Sequence, residues 1–228
     1  MITGRRAEQL EFAALRLGTD TGGTVHALVN DVSEPKSAEA ALSEVENRYG
    51  ALDVLVLNAG GPPPGRILTV EDDSWQRAFE LLLLGPMRLA RLALPRMAAQ
   101  GFGRVVFVTS TAVRQPQPDL ATSVVLRSAV TAAAKLLSRE FAAEGVTVNC
   151  VAPGPTATER RREILEARAR ATEAAFADLD AADAATVPAG RAGRPEEIGA
   201  AVAFLASAAA GYINGTVLTV DGGRTETV

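Results

Sequence analysis

The sequence contains one cysteine and one histidine, so it offers little material for cross-links or metal sites. A single thiol, Cys150, excludes an internal disulfide, and its apolar neighbours favour a buried, unreactive side chain. His26 lies in a predicted strand away from any cluster of cysteines or carboxylates. The sequence therefore predicts no metal site.

The chain also lacks an excess of positive charge and any long apolar run. Its formal net charge is −4 with no basic stripe, which argues against nucleic acid as a partner. No run of about 18 or more apolar residues is present, and residues 1–6 lack the apolar core of a secretory signal. The sequence therefore predicts a cytoplasmic protein without membrane contact.

The remaining residues alternate between apolar runs and helical segments. With 228 residues and 47% hydrophobic content, the chain can bury one substantial core, so we expect a single domain over 1–228. Strands that alternate with helices predict βαβ crossovers and a mostly parallel sheet. The apolar run at 53–57 predicts a strand that is buried on both faces.

A later segment of the chain is rich in charge and alanine. Residues 159–178 favour one helix, and residues 159–190 are expected to form a substrate-cap segment. Two interpretations stay open for this helix. It is either a mobile cap over a pocket or a solvated surface helix.

The centre of the chain, residues 104–135, has the features of a functional site. The β-branched run at 105–108 ends in a hydroxyl cluster that includes Ser110, and a proline-containing loop then leads into an alanine-rich helix. Ligands of open α/β sheets bind at the carboxyl ends of strands. Ser110 is followed thirteen residues later by Ser123-x-x-x-Arg127.

This spacing resembles the short-chain dehydrogenase/reductase family, in which a strand-end serine precedes a Tyr-x-x-x-Lys pair. Other motifs extend the resemblance over most of the chain, namely Asn58-Ala59-Gly60, Val148-Asn149 with Pro153-Gly154, and the segments 193–197 and 220–223. The resemblance implies a Rossmann-type, doubly wound, mostly parallel α/β sheet. It also implies a 3-oxoacyl reductase-like enzyme that acts on a small carbonyl or alcohol with NADP or NAD, as a homodimer or homotetramer.

The catalytic set departs from the family pattern of Asn, Ser, Tyr and Lys. The corresponding positions are Leu82, Ser110, Ser123 and Arg127. Ser110 is predicted to contact a ligand oxygen, but an unassisted serine at 123 is far less acidic and much shorter than a tyrosine, whose pKa begins near ~10. Arg127 keeps a positive charge that either binds an anion in the cleft or pairs with a carboxylate of a neighbouring helix. The sequence therefore predicts impaired activity.

The expected cofactor site is also incomplete. By resemblance, the cofactor-binding residues are Arg5, Asp31, Asn58, Ala59, Gly60, Arg127, Pro153, Gly154, Thr156 and Thr158. The family's first strand, Gly-x-x-x-Gly-x-Gly turn and first helix have no counterpart before Ile2. That turn normally brings backbone N–H groups to the pyrophosphate, so we expect weak dinucleotide binding.

The missing strand predicts two open strand edges in the sheet. Three explanations remain open at this point: a start site placed too far downstream, a rearranged sheet, or a partner chain that fills the gap.

Three functions fit these observations. The first is an NAD(P)-dependent oxidoreductase with an altered proton relay, in which Ser110 with water supports slow turnover. Tyr212 is expected to be a packing residue, and it becomes a substitute proton donor only if it faces the cleft. The second is a non-redox enzyme, such as a cyclase, dehydratase or isomerase, that uses the pocket without a cofactor. The third is a non-catalytic binding or assembly protein.

Overall fold

A computed structural model describes residues 1–227 as alternating strands and helices. The strands are β1 Ile2–Gly4, β2 Ala27–Val29, β3 Val54–Leu57, β4 Gly103–Val108, β5 Val146–Pro153 and β6 Val217–Val220. The helices are α1 Ala7–Thr21, α2 Ser37–Tyr49, α3 Asp72–Phe79, α4 Gly85–Ala99, α5 Ala121–Glu140, α6 Glu159–Thr172, α7 Phe176–Ala185 and α8 Pro195–Ala206.

All strand pairings among residues 1–227 are parallel. Four strands form one sheet in the order β3-β4-β5-β6, and β1 pairs with β2 in a second sheet. Helices cover both faces of the larger sheet. On one face α4 and α5 pack against Val105, Phe107 and Val148, and on the other α8 packs against Val106 and Val151. The predicted Rossmann-type α/β fold is confirmed.

The interruption of the sheet that the sequence predicts is present. Over the described residues, β1 and β2 make no pairing with β3–β6, so the sheet has not closed by rearrangement. The expectation that 53–57 is buried on both faces is wrong, because β3 is an edge strand whose neighbours cover it incompletely. Val54 and Val56 are 38% and 44% exposed.

The β1–β2 unit is attached to the larger sheet through α2 and α4. Arg96 Nε lies 2.6 Å from Glu46 Oε1, and Arg88 Nη1 donates a 3.2 Å hydrogen bond to the Ser33 carbonyl. At Gly85 the first turn of α4 approaches the Val32 carbonyl so closely that a Cβ would overlap with it. Glycine at this position therefore permits the contact.

The segment 159–178 is not one helix as predicted. Glu173 ends α6 in a left-handed conformation with φ 55°, and the chain then turns into α7. The turn brings the acidic side chains of α7 to Arg161, which forms ion pairs with Asp180 and Asp183. The ion pairs between α6 and α7 thus accompany a break in the helix at Glu173 that helix propensity alone did not indicate. None of the helices within 1–227 combines the length and apolar content needed to cross a membrane.

Candidate functional site

A cavity of about 600 Å³ lies at the carboxyl ends of β3, β4 and β5, beneath α6. It brings together most of the site residues expected from the sequence. These are Asn58, Ala59, Gly60, Ser110, Ser123, Arg127, Pro153, Gly154, Thr156 and Thr158. Carboxyl ends of neighbouring parallel strands meet at one edge of a sheet, which explains why residues far apart in sequence converge here.

Ser110 lies in extended backbone directly after β4 and lines this cavity. Its Oγ accepts a 3.1 Å hydrogen bond from the Ala112 backbone N–H, which caps the short helical turn that follows. Accepting this bond leaves the hydroxyl proton able to donate. Ser110 therefore caps local backbone and can still contact a ligand oxygen.

Arg127 on α5 makes its hydrogen bonds to uncharged groups. Its Nε donates to Ser123 Oγ at 3.2 Å, Nη1 to the Val108 carbonyl at 2.7 Å and Nη2 to the Ala59 carbonyl at 3.2 Å. Burial, followed by the charge of Arg160, lowers the pKa of the guanidinium to about 10, so it stays protonated at neutral pH. Of the two roles that the sequence leaves open for Arg127, pairing with a carboxylate of a neighbouring helix is not formed among residues 1–227.

The helix α6 adds arginines to the cavity that sequence reasoning missed. Arg168 forms a two-pronged contact with Asp119, with Nε to Oδ2 at 2.7 Å and Nη2 to Oδ1 at 3.1 Å. Although burial raises the pKa of Asp119, the hydrogen bond and charge of Arg168 lower it on balance. The sequence does contain a pattern that could have indicated which side of α6 faces the cavity. Four lining residues have the i, i+3, i+4, i+7 spacing of one helix side, namely Arg161, Ile164, Leu165 and Arg168.

Within residues 1–227, the cavity lining contains no histidine, cysteine, tyrosine or lysine. Its ionisable residues are arginines and Asp183, and Asp183 is paired with Arg161 and Arg224. Tyr212 is fully exposed and is not part of the lining, so the condition for its role as a substitute proton donor is not met. Leu82 lies buried against Ala78 and Leu126.

Two predicted cofactor contacts, Arg5 and Asp31, lie outside the cavity. They follow β1 and β2, and Asp31 Oδ1 accepts hydrogen bonds from the Ser33 N–H at 3.0 Å and the Ser33 hydroxyl at 2.6 Å. The Ser33 hydroxyl bond is the main cause of a lowered pKa for Asp31, and Arg5 contributes charge. The carboxylate is therefore ionised and already engaged locally.

The residues that follow β5 fit the nicotinamide half of a dinucleotide better than Arg5 and Asp31 fit the adenine half. Thr156 Oγ1 donates to the Gly154 carbonyl at 3.0 Å, and Thr158 caps α6 through the Arg161 N–H. Both hydroxyl oxygens keep acceptor capacity for an amide group. Gly154 is required because a Cβ there would lie 2.8 Å from Asp221 Cα. The described residues therefore fit the nicotinamide half of the cofactor but not its pyrophosphate, since no described loop supplies the glycine-rich turn that binds phosphate.

Two further side chains near the site, Asn149 and Cys150, are structural. Asn149 donates to the Ile213 carbonyl at 2.8 Å and accepts from the Thr216 N–H at 3.0 Å, which joins β5 to the segment before β6. Burial raises the pKa of the Cys150 thiol to about 12, so this thiol is unreactive at neutral pH. The burial and low reactivity of Cys150 agree with the sequence interpretation.

A doubly wound parallel fold with a polar cavity at its strand ends defines a Rossmann-type ligand-binding domain. The family described as Enoyl-(Acyl carrier protein) reductase matches residues 1–225. The 3-oxoacyl-[acyl-carrier-protein] reductase FabG of Haemophilus influenzae is 35% identical over 86% of this chain and 76% of its own length. The Escherichia coli FabG is 33% identical over 93% and 83%. The chain belongs to the short-chain dehydrogenase/reductase family.

Solved structures give the same result. L-sorbose reductase from Gluconobacter frateurii, complexed with NADPH and L-sorbose, is 29% identical and superposes with a TM-score of 0.92 over 99% of this chain and 86% of that one. A single-residue variant of actinorhodin polyketide ketoreductase with NADPH is 30% identical, with a TM-score of 0.93 over 99% and 87%. The chain is thus similar to oxidoreductases of this family in both sequence and fold.

Proposed function

We propose that this protein is a weak NAD(P)-linked oxidoreductase that acts on a small carbonyl or alcohol. The family, the NADPH-bound neighbours and the hydroxyl of Ser110 at the strand end support this activity. The observation that supports weak activity is that the described residues of the cavity lining include no tyrosine, lysine or histidine that could donate a proton. General acid catalysis contributes about 10²–10⁴ in rate, and its loss sets the expected scale of the defect.

The nicotinamide cofactor, when bound, supplies or accepts the hydride. The loop 58–60 and the segment 153–158 would hold its nicotinamide end. Ser110 donates a hydrogen bond to the substrate oxygen and orients it. The segment 159–190 acts as a cap that excludes water, because Arg168 ties α6 to the Asp119 loop beside the cavity.

A titration of the purified protein with NADPH and NADH, followed by calorimetry, tests the cofactor assignment. Binding below about millimolar, together with slow turnover of ketones, is the expected result. Ser110→Ala should reduce this turnover further. Ser128→Ala is the matched control, because Ser128 bonds within α5 and does not line this cavity. Absence of binding would exclude the redox assignment, and rapid turnover would contradict the predicted weakness.

A second candidate is a protein that binds a small molecule without redox chemistry. The observation that favours it is the Arg127 guanidinium, whose charge no described carboxylate neutralises. Under this candidate, ligand binding would persist in the absence of any dinucleotide.

We also propose that the protein is a cytoplasmic homodimer or homotetramer. Apolar side chains that are exposed on α5, Val125 and Leu136, support contact between copies of this helix. Light scattering after size exclusion tests the assembly, and Leu136→Glu should shift it towards monomer.

A further inference from the structure

The charge of the cavity is not balanced within the described chain. Its lining includes five arginines and one carboxylate, Asp183, although the whole protein carries a net charge of −4. Three of the arginines are paired with carboxylates that are mostly buried or partly buried. Arg161 and Arg224 contact Asp183, and Arg168 contacts Asp119. Arg160 contacts only the mostly exposed Glu163, and Arg127 has no carboxylate partner among the described residues, so these two are the source of the excess positive charge.

Arg127 has donors to spare. A guanidinium carries five N–H groups, and the hydrogen bonds to Ser123, Val108 and Ala59 use three of them. The remaining pair can meet the two oxygens of a carboxylate, a geometry that arginine fits better than lysine. A partly buried cation without an opposite charge is costly, and an anionic ligand relieves this cost.

Arg160 adds a second positive charge to the part of the cavity that contains Arg127. Its guanidinium reaches from the first turn of α6 to the Pro62 carbonyl, over Gly61. A Cβ at Gly61 would lie 2.5 Å from Arg160 Nε, so glycine provides the space that this side chain occupies. The acid that pairs with it, Glu163, is 3.4 Å away and more than half exposed, so it neutralises Arg160 weakly. The positive charge of Arg160 also lowers the pKa of Arg127.

We propose that this cavity binds a substrate that carries a carboxylate, held by Arg127 and Arg160, with its carbonyl or hydroxyl oxygen directed at Ser110. The inference rests on the proposed function in taking the cavity as the substrate site. It does not depend on hydride transfer, because the charge imbalance exists without a cofactor.

Calorimetry without dinucleotide tests the proposal directly. The ligands are the oxo acids acetoacetate and levulinate, each compared with its uncharged methyl ester at constant ionic strength. The acids should bind about tenfold or more tightly than the esters, and inorganic phosphate should displace them. Equal binding of acid and ester, or no binding of either, would overturn the proposal.

Two variants locate the charge recognition. Arg160→Gln should reduce the preference for the acid by about tenfold, whereas Arg162→Gln should leave it unchanged. Arg162 lies on the same helix, is exposed and pairs with Glu166 outside the cavity. Arg127→Met should abolish the preference. If this variant does not fold, because Arg127 also joins Val108 to Ala59, the comparison of Arg160→Gln with Arg162→Gln still decides the question.

Competition with NADPH separates the two possible sources of the anion. A carboxylate substrate and NADPH should bind together, so NADPH should leave the acid in place. Displacement of the acid by NADPH would assign the arginines to the dinucleotide and overturn the substrate assignment. Because no turnover is measured, a lack of NADPH-linked activity would refute the proposed redox function while leaving this result standing.

Discussion

Arg127 Nε donates a 3.2 Å hydrogen bond to Ser123 Oγ, one turn earlier on α5. In the family these two positions hold a lysine and a tyrosine, so the cation and the hydroxyl are still adjacent. The serine hydroxyl nevertheless remains a poor acid, because a neighbouring positive charge cannot lower its pKa to neutral pH. The pair therefore orders the cavity wall rather than delivering a proton.

The double substitution Ser123→Tyr with Arg127→Lys should restore a proton donor. Lysine at 127 would lower the pKa of the new phenol, and we expect NADPH-linked ketone turnover to rise at least about tenfold. Initial rates measured spectrophotometrically at saturating ketone give the comparison. Arg139→Tyr is the control, since it places a phenol on the exposed side of the same helix. An equal rise in both variants would count against the expected role of position 123.

Substitution of Gly154 should destabilise the protein sharply. A Cβ at this position would overlap with Asp221 Cα at 2.8 Å and Cβ at 2.6 Å, so Gly154→Ala should lower the free energy of unfolding by about 1–3 kcal/mol. Gly60→Ala, in the same cavity, meets no atom within 4 Å and should change it by less than about 0.5 kcal/mol. Urea titrations measure both. Similar losses in the two variants would show that the contact with Asp221 is not the cause.

Two valines that are partners in the sheet should respond differently to a hydroxyl. Val56 pairs with Val106, yet Val56 is 44% exposed and Val106 is 1% exposed. Val106→Thr should cost about 1–3 kcal/mol because the hydroxyl is buried without a partner, whereas Val56→Thr should cost under about 0.5 kcal/mol. Thermal or urea unfolding provides the measurement. A large cost at Val56 would mean that β3 is covered in solution, for example by another copy of the chain.

The Asp119–Arg168 contact should give a pH-dependent contribution to stability. The pKa of Asp119 is lowered in the folded state, so the contact stabilises the protein above the unfolded value near ~3.9 and is lost as pH falls below it. Both side chains are partly exposed, so Asp119→Asn should cost about 1 kcal/mol or less at neutral pH. The difference from wild type should persist at pH ~5 and should be lost in urea titrations as the pH falls through the lowered folded-state pKa of Asp119.

Limited proteolysis adds a local measure of the same contact. Cleavage within α6 should accelerate in Asp119→Asn but not in Glu166→Gln, which removes the exposed Arg162–Glu166 pair. Unchanged cleavage in Asp119→Asn would show that α6 is held over the cavity by other contacts.

The strand ends of the fold were predictable because they carry strong local patterns. The segments 105–108 and 146–151 are apolar, β-branched runs bounded by turn residues, and the structure places both in the buried centre of the sheet. The loop 58–60 and the segment 153–158 follow strand ends, so their convergence on one cavity follows from parallel topology. These are consequences of short-range sequence features and simple geometry.

Other features depend on contacts between distant residues and could not be read locally. The break at Glu173 coincides with ion pairs between Arg161 and α7, and helix propensity gives no warning of it. The exposure of Val54 and Val56 depends on which strand lies beside β3. The bonds of Arg127 to Val108 and Ala59 also required the structure, since the sequence left its partner undecided.

The unit formed by β1, α1 and β2 is attached to the larger sheet in a way that lets it unfold locally. No main-chain hydrogen bond connects this unit to β3–β6 in the described chain. The unit is held by side-chain contacts of α2 and the loop after β2 with α4, and by the close approach of Gly85 to the Val32 carbonyl. Local opening requires far less free energy when no backbone ladder must break. The amides of β1 and β2 should therefore exchange with deuterium well ahead of those of β4 and β5, as a separate cooperative group.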